Sequence, residues 1–295
     1  MLTLYPNELI IRSMNKNTLV FYHGNCRDGF TAAWAAWKKL GDSADYIPMV
    51  YSRFSPDKLP DTSGKDVYFL DFTPEDADLF RTVSNSHSTI IIDHHESREE
   101  SIKRVPNSVY DVSHSGAFLS WRYFHPDKKM PELCLYVEDS DLWKWQIPDS
   151  DKILSYIDTV GKFKFEIWDS IALDLEQDDK KKEYSEKGGL IISFREKVID
   201  IMIRDHTQLV EFEGYEICAI NAPRFFRSEI GDKLARTKPP FAIVWNYTPT
   251  DISVSLRSTE FDLIPIAAKF GGGGHKTAAN FRLPLDAPLP WKKLK

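Results

Sequence analysis

Three β-rich runs in the first third of the chain each stop at an aspartate or a histidine. Thr18 to Tyr22 stops at His23, Val67 to Leu70 at Asp71, and the β-branched run Thr89 to Ile92 at Asp93-His94-His95. Helical signals separate them. After Asp28-Gly29, the residues Phe30, Ala33, Trp34, Trp37 and Leu40 share one apolar face, and Thr73-Pro74-Glu75 reads as a helix start. Asp45 to Tyr51 reads as a further strand, and Ser115 to Phe124 and about 131–137 as further helices. Strands alternating with helices predict an α/β fold with a parallel sheet covered by helices on both faces. In such a sheet, ligands bind beyond the C-terminal strand ends, where the βα loops converge. A single aspartate after a strand is commonly a helix cap. Three such segments with adjacent histidines predict one shared site.

The residue types at those strand ends point to metal chemistry. Neutral imidazole with carboxylate suits Mn²⁺, Zn²⁺ or Fe²⁺, and adjacent histidines at a strand end diverge, so one can face a metal and the other a substrate. A carboxylate such as Asp28 or Asp71 can bridge two cations roughly 3.5–4 Å apart, as in phosphoryl hydrolysis. Asp139 and Asp141 close another apolar stretch, Leu133 to Val137, and either could complete a metal shell; the alternative is surface acids before a tryptophan-rich turn. A Cys26/His23 nucleophile is conceivable, but it leaves Asp71, Asp93, His94 and Asp139 unexplained. There is no phosphate-binding Walker loop and no GxGxxG pattern.

A second α/β module begins after Glu213-Gly214: a strand at Tyr215 to Ile220, a helix at Ser228 to Leu234, a strand at Phe241 to Tyr247, and a strand in which Ile252, Val254 and Leu256 alternate with Ser253, Ser255 and Arg257. A short helix over 262–270 runs into Gly271-Gly272-Gly273-Gly274-His275. Four glycines let backbone N–H groups turn toward an anion, so a phosphate nest is expected, with a flexible hinge as the alternative. Between the modules, about 170–206 reads as a long helical connection with Gly188-Gly189 as a break. Residues 1 to about 15 read as an extension, with Met14 as an alternative start, and the Pro-rich stretch Pro284 to Pro290 as a loosely packed end.

Composition narrows the partners. The net charge of −6 over 295 residues argues against a grip on long duplex DNA. The charge is uneven: from Arg224 onward there are 12 Lys/Arg against 6 Asp/Glu, so the first 223 residues carry the acidity. An acidic half that holds metal and a basic half that holds an anion is one reading; ordinary variation of charge along a chain is the other. No apolar run is long enough to span a membrane. Three scattered cysteines do not make a disulfide framework or a zinc knuckle, and a reducing, cytoplasmic setting is expected.

In order along the chain, these segments resemble the DHH phosphoesterase superfamily. His23-Gly24-Asn25-Cys26-Arg27-Asp28-Gly29 is similar to its first motif, Asp71 to the second, Asp93-His94-His95 to the third and Asp139 to the fourth; the Ser253 to Ser258 strand with Gly271 to His275 resembles the DHH-associated C-terminal domain. The resemblance spans about 18–283. It implies an N-terminal parallel-sheet catalytic domain over 15–165, a helical connector over 166–212, and a smaller C-terminal α/β substrate-binding domain over 213–290, with a cleft between the domains.

The resemblance also implies roles. His23, Asp28, Asp71, His94 and Asp139 would ligate metal, Asp139 being preferred over Asp141 on the spacing to Trp143-Lys144-Trp145. His95 would act on substrate or behind the ligands, and Asp93 would orient the histidines. Arg257, Ser258, Gly272, Gly273, Gly274 and His275 would hold the substrate. Two divalent cations, Mn²⁺ by preference, are implied, one weakened because Cys26 stands where many members carry aspartate. The implied activity is hydrolysis of short single-stranded oligonucleotides to mononucleotides. A small-nucleotide phosphatase, a cyclic-dinucleotide phosphodiesterase and a nucleotide-binding sensor are the alternatives. A homodimer is left open.

Overall fold

The computed structural model describes residues 16–49, 59–160 and 163–294. The extension over 1–15 with Met14, and Tyr51 at the end of the second expected strand, lie outside the described residues. The chain divides into two units, the first ending at Gly188 and the second beginning at Gly189.

The first unit contains β1 (Thr18–His23), α1 (Arg27–Leu40), β2 (Ala44–Met49), β3 (Asp66–Leu70), α2 (Asp76–Asn85), β4 (Ser88–Asp93), α3 (Glu99–Lys103) and β5 (Val109–Tyr110). Helices α4 (Gly116–Phe124), α5 (Glu132–Asp141), α6 (Ser150–Val160) and α7 (Phe165–Asp174) follow, and α8 (Asp178–His206) contains the division. The five strands form a parallel sheet in the order β2-β1-β3-β4-β5. Successive strand residues point to opposite faces. Leu19, Phe21, Val67, Phe69 and Ile91 enter one core with Leu79 and Ile102, whereas Val20, Tyr22, Leu70 and Ile92 enter the other with Phe30, Trp34 and Trp121. Each fully buried Phe contributes roughly 1.5–3 kcal/mol, so the register of β1 and β3 is fixed by both faces. That register brings the polar strand ends to one edge.

The second unit adds β6 (Gln208–Phe212), β7 (Tyr215–Asn221), α9 (Arg227–Thr237), β8 (Phe241–Tyr247), β9 (Ile252–Ser258), α10 (Ile264–Lys269), β10 (Gly273–His275), β11 (Ala278–Leu283) and β12 (Lys292–Lys293). Its seven-stranded sheet has the order β10-β11-β9-β8-β7-β6-β12. Only the β7–β8 pairing is parallel.

Three expectations are corrected. The stretch 166–212 is not a separate connector: Trp168, Ile171, Leu175 and Tyr184 pack into the first core, and Ile199 packs with Ile220 and Ile230 of the second unit. Gly188-Gly189 does not break α8. A Cβ on Gly188 would lie 1.8 Å from the Lys152 carbonyl oxygen, so the glycine lets α8 lie against the backbone of α6. The tail is not loose, because Leu289 and Trp291 pack on the second core and β12 pairs with β6.

Candidate metal centre

The chain turns sharply at the end of β3. Asp71 has φ +52, a left-handed conformation that aspartate tolerates better than most residues, and its N–H donates to the Ile92 carbonyl of β4. Its carboxylate is buried at the middle of a cluster. Oδ2 is 3.2 Å from His23 Nδ1 at the end of β1. Oδ1 is 3.3 Å from His94 Nε2 and 3.7 Å from His95 Nδ1, both just past β4. His94 Nε2 in turn lies 3.7 Å from Asp28 Oδ2 and 3.5 Å from Asp141 Oδ2.

Two further carboxylates build the frame. Asp93 Oδ1 accepts from the His94 and His95 backbone N–H groups and lies 2.7 Å from His95 Nδ1, while Oδ2 accepts from Thr73 Oγ1. Asp28 accepts from the Gly116 and Ala117 N–H groups at the start of α4, at 2.7 and 2.8 Å, the favoured place for an anion. A Cβ on Gly116 would lie 2.6 Å from Asp71 Cβ and 2.8 Å from Asp28 Oδ2. The glycine therefore lets the helix end reach the carboxylates.

Asp139 does not join this cluster, a correction to its reading as a ligand. Its carboxylate accepts from the Gln146 and Ile147 N–H groups and from Ser150 Oγ. Asp141, two residues on, carries the carboxylate that faces His94. Cys26, His23 and Asp71 form one group of possible ligand atoms within 4.8 Å of one another; Asp28, His94 and Asp141 form another; Asp71, Asp93, His94 and His95 a third.

The electrostatics describe a pocket that calls for a cation. Burial and then the charges of Asp71 and Asp141 push the Asp28 carboxyl well up, and burial raises Asp141 as well. Burial disfavours a charged His94, yet contact with Asp71 and the charges of Asp141 and Asp28 outweigh it, raising its pKa to about 11. Burial, then the charges of Asp71, Asp141 and Asp28, push the Cys26 thiol well up, which disfavours a thiolate nucleophile in the metal-free chain.

The residues fit a metal. Asp71 Oδ1 is buried and makes no hydrogen bond, a cost that coordination would relieve. Ligand atoms about 2.1 Å from an ion stand about 3.0–3.5 Å apart in tetrahedral or octahedral coordination, close to the 3.2, 3.3 and 3.5 Å separations here. Asp71 belongs to two of the three groups, and its carboxylate, with two oxygens, is the residue that could serve two neighbouring ions.

In the second unit, Arg257 Nη1 donates to the Leu256 carbonyl at 2.8 Å, and burial together with neighbouring Arg227 lowers its pKa to about 10. Ser258 Oγ donates to the Phe261 carbonyl. The glycine run serves a hairpin: Gly271 has φ +70, and a Cβ on Gly272 or Gly274 would lie 2.1 Å from the Asn280 carbonyl oxygen or 2.5 Å from that of Ala278. Gly273 meets nothing within 4 Å, and His275 is exposed and pairs with Ala278.

No family model matches the sequence. An uncharacterized protein of Acanthamoeba polyphaga mimivirus is 27% identical over 313 residues, covering 98% of this chain and 73% of that protein. Among solved structures, an exopolyphosphatase-related protein from Bacteroides fragilis superposes with a TM-score of 0.56 at 14% identity, covering 93% of this chain and 88% of its own. The chain shares this fold, the fold of DHH-family structures. A pGpG-specific phosphodiesterase from Vibrio cholerae aligns with a TM-score of 0.48 at 15% identity, covering 92% of this chain and 94% of its own.

On this DHH fold, the cluster sits where the loops after β1, β3 and β4 converge. In the sequence Thr73 reads only as part of a helix start and Gly116 only as part of a helix, and neither is assigned to the site. The signals for them were present: a threonine two residues after Asp71, and a Ser-Gly pair at a helix start.

Proposed function

We propose that this chain is a metal-dependent phosphodiesterase that hydrolyses short oligonucleotides to mononucleotides. The observation that carries the reading is the convergence of His23, Asp28, Asp71, His94, His95 and Asp141 on a DHH fold, with a buried Asp71 oxygen left without a hydrogen bond. His23, Asp28, Asp71, His94 and Asp141 would hold two divalent cations, Mn²⁺ by preference, because imidazole ligands favour transition ions over Mg²⁺. A bound cation supplies Lewis acidity toward a phosphoryl oxygen and lowers the cost of deprotonating water.

The chain's own groups do the rest. Asp93 fixes the His95 ring through Nδ1. The α4 N-terminus holds Asp28 in place. In the second unit, Arg257 supplies a cation for a substrate phosphate, and Gly273 offers backbone that a phosphate can approach; Ser258 and His275 flank them. The acidic net charge supports short substrates, since a long strand needs an extended basic track.

The test uses the full chain, stripped with chelator and reloaded. Turnover of dinucleotides to mononucleotides in Mn²⁺, above that of pAp, cyclic dinucleotides or long strands, is expected. An inert Mn²⁺-loaded chain would overturn the hydrolase reading, and a preference for pAp or cyclic dinucleotides would overturn the substrate.

A further inference from the structure

The turn that follows Asp141 is strained. Trp143 and Trp145 have φ +54 and +49, a left-handed conformation in which a bulky residue is a genuine outlier and which persists only where the surroundings over-determine it. Asp139 over-determines it. Its backbone carbonyl accepts from Lys144 and Trp145 N–H at 2.8 and 3.3 Å, and its carboxylate accepts from Gln146, Ile147 and Ser150. Lys144 is drawn to Glu138, 3.4 Å away. The strain does not serve packing, for neither indole belongs to a core cluster of the first unit among the described residues. The two residues are 45% and 37% exposed, and their ring centroids are 5.2 Å apart at 76°. An edge-to-face pair keeps at least one ring face clear of the other ring. Two large apolar side chains are thus held out to solvent, two and four residues beyond the carboxylate that faces His94.

We propose that Trp143 and Trp145 form a stacking platform for a nucleobase of the substrate, and that Asp139 is the positioning residue that holds it. The inference rests on the phosphodiesterase reading above. Indole stacking accepts any base, because every base has a π face, so this platform would select for the presence of a base rather than its identity.

The test compares Trp143→Ala, Trp145→Ala and their Phe counterparts in the full chain. The substrates are a 5′-phosphorylated dinucleotide and the same molecule with abasic residues, with binding of each measured by calorimetry. The expected result for the Ala variants is a loss of about 5- to 150-fold in kcat/KM on the dinucleotide, carried mainly by KM and restored in part by Phe, with the abasic substrate cleaved at the wild-type rate. Asp139→Asn should show the same split more weakly. Equal losses on both substrates would reduce the turn to a structural role, and unchanged dinucleotide kinetics would remove the platform; either overturns the inference. A wild-type chain that cleaves neither substrate overturns the phosphodiesterase reading instead. The calorimetry then decides the platform: tryptophan-dependent binding of the dinucleotide over its abasic form sustains it, and binding that is absent or insensitive to the substitutions ends it.

Discussion

His94 Nε2 stands 3.3 Å from Asp71 Oδ1, a buried oxygen that makes no hydrogen bond. Asp71 thus reaches the imidazoles of His23, His94 and His95 from a single carboxylate. Asp71→Ala should weaken Mn²⁺ binding by roughly 100-fold or more, since even residues behind the ligands cost 10–100-fold, and should abolish nearly all turnover. Metal analysis beside kinetics checks this; retention of both metal and rate would remove Asp71 from the centre.

The two acids at the end of α5 should separate cleanly. Asp141→Asn is expected to lose metal affinity with little change in unfolding free energy. Asp139→Ala strands two N–H groups and a hydroxyl, and should cost about 1–3 kcal/mol of stability while the metal content holds. Urea denaturation and metal analysis on both variants decide the assignment, and the reverse pattern would restore Asp139 as the ligand.

Gly116→Ala places a methyl group against Asp71 Cβ and Asp28 Oδ2. Overpacking of this kind costs about 1–3 kcal/mol, and it moves the α4 N–H groups away from Asp28. A lowered Tm with weakened Mn²⁺ binding is expected. Wild-type values for both would mean that the helix end yields without disturbing the carboxylates.

The Cys26 thiol lies within 4.8 Å of possible ligand atoms of His23 and Asp71, and burial with the nearby carboxylates pushes its pKa up. A hard ion gains little from a thiol. Cys26→Ser should therefore keep substantial activity, and Cys26→Asp should tighten the weaker of two Mn²⁺ sites in a titration. Complete loss of turnover in a folded serine variant would assign the thiol a direct role.

Arg257→Ala should leave metal content at the wild-type level and lower kcat/KM by roughly 10- to 150-fold, the loss expected for one charge-assisted phosphate contact. Loss of metal in this variant would contradict a division of labour between the two units.

Much of the first unit was legible because β1, β3 and β4 are short apolar runs with an abrupt polar end, and because α1 keeps its apolar residues on one face. The meeting of His23, Asp71 and His94 follows from the parallel register of those strands. Asp139 and Asp141 could not be told apart by spacing. Two residues apart on a helix, they point in directions about 200° apart, and which one faces the histidines depends on how α5 packs. Gly188 read as a break because its need for space comes from Lys152, 36 residues away in the chain. Likewise, the proline-rich tail hid two anchors, Leu289 and Trp291, whose partners lie on a distant face.

The two ends of the seven-stranded sheet are poor templates for another strand. One edge is β12, only two residues long and both of them lysines; the other is β10, three residues of which two are glycine. Very short edge strands and edge lysines discourage edge-to-edge growth. Without Lys292 and Lys293, β6 would present its open backbone beside Leu209, which is already 47% exposed. Lys292 and Lys293 thus cover the backbone of β6, and a chain cut before Pro284 should assemble into aggregates through β6.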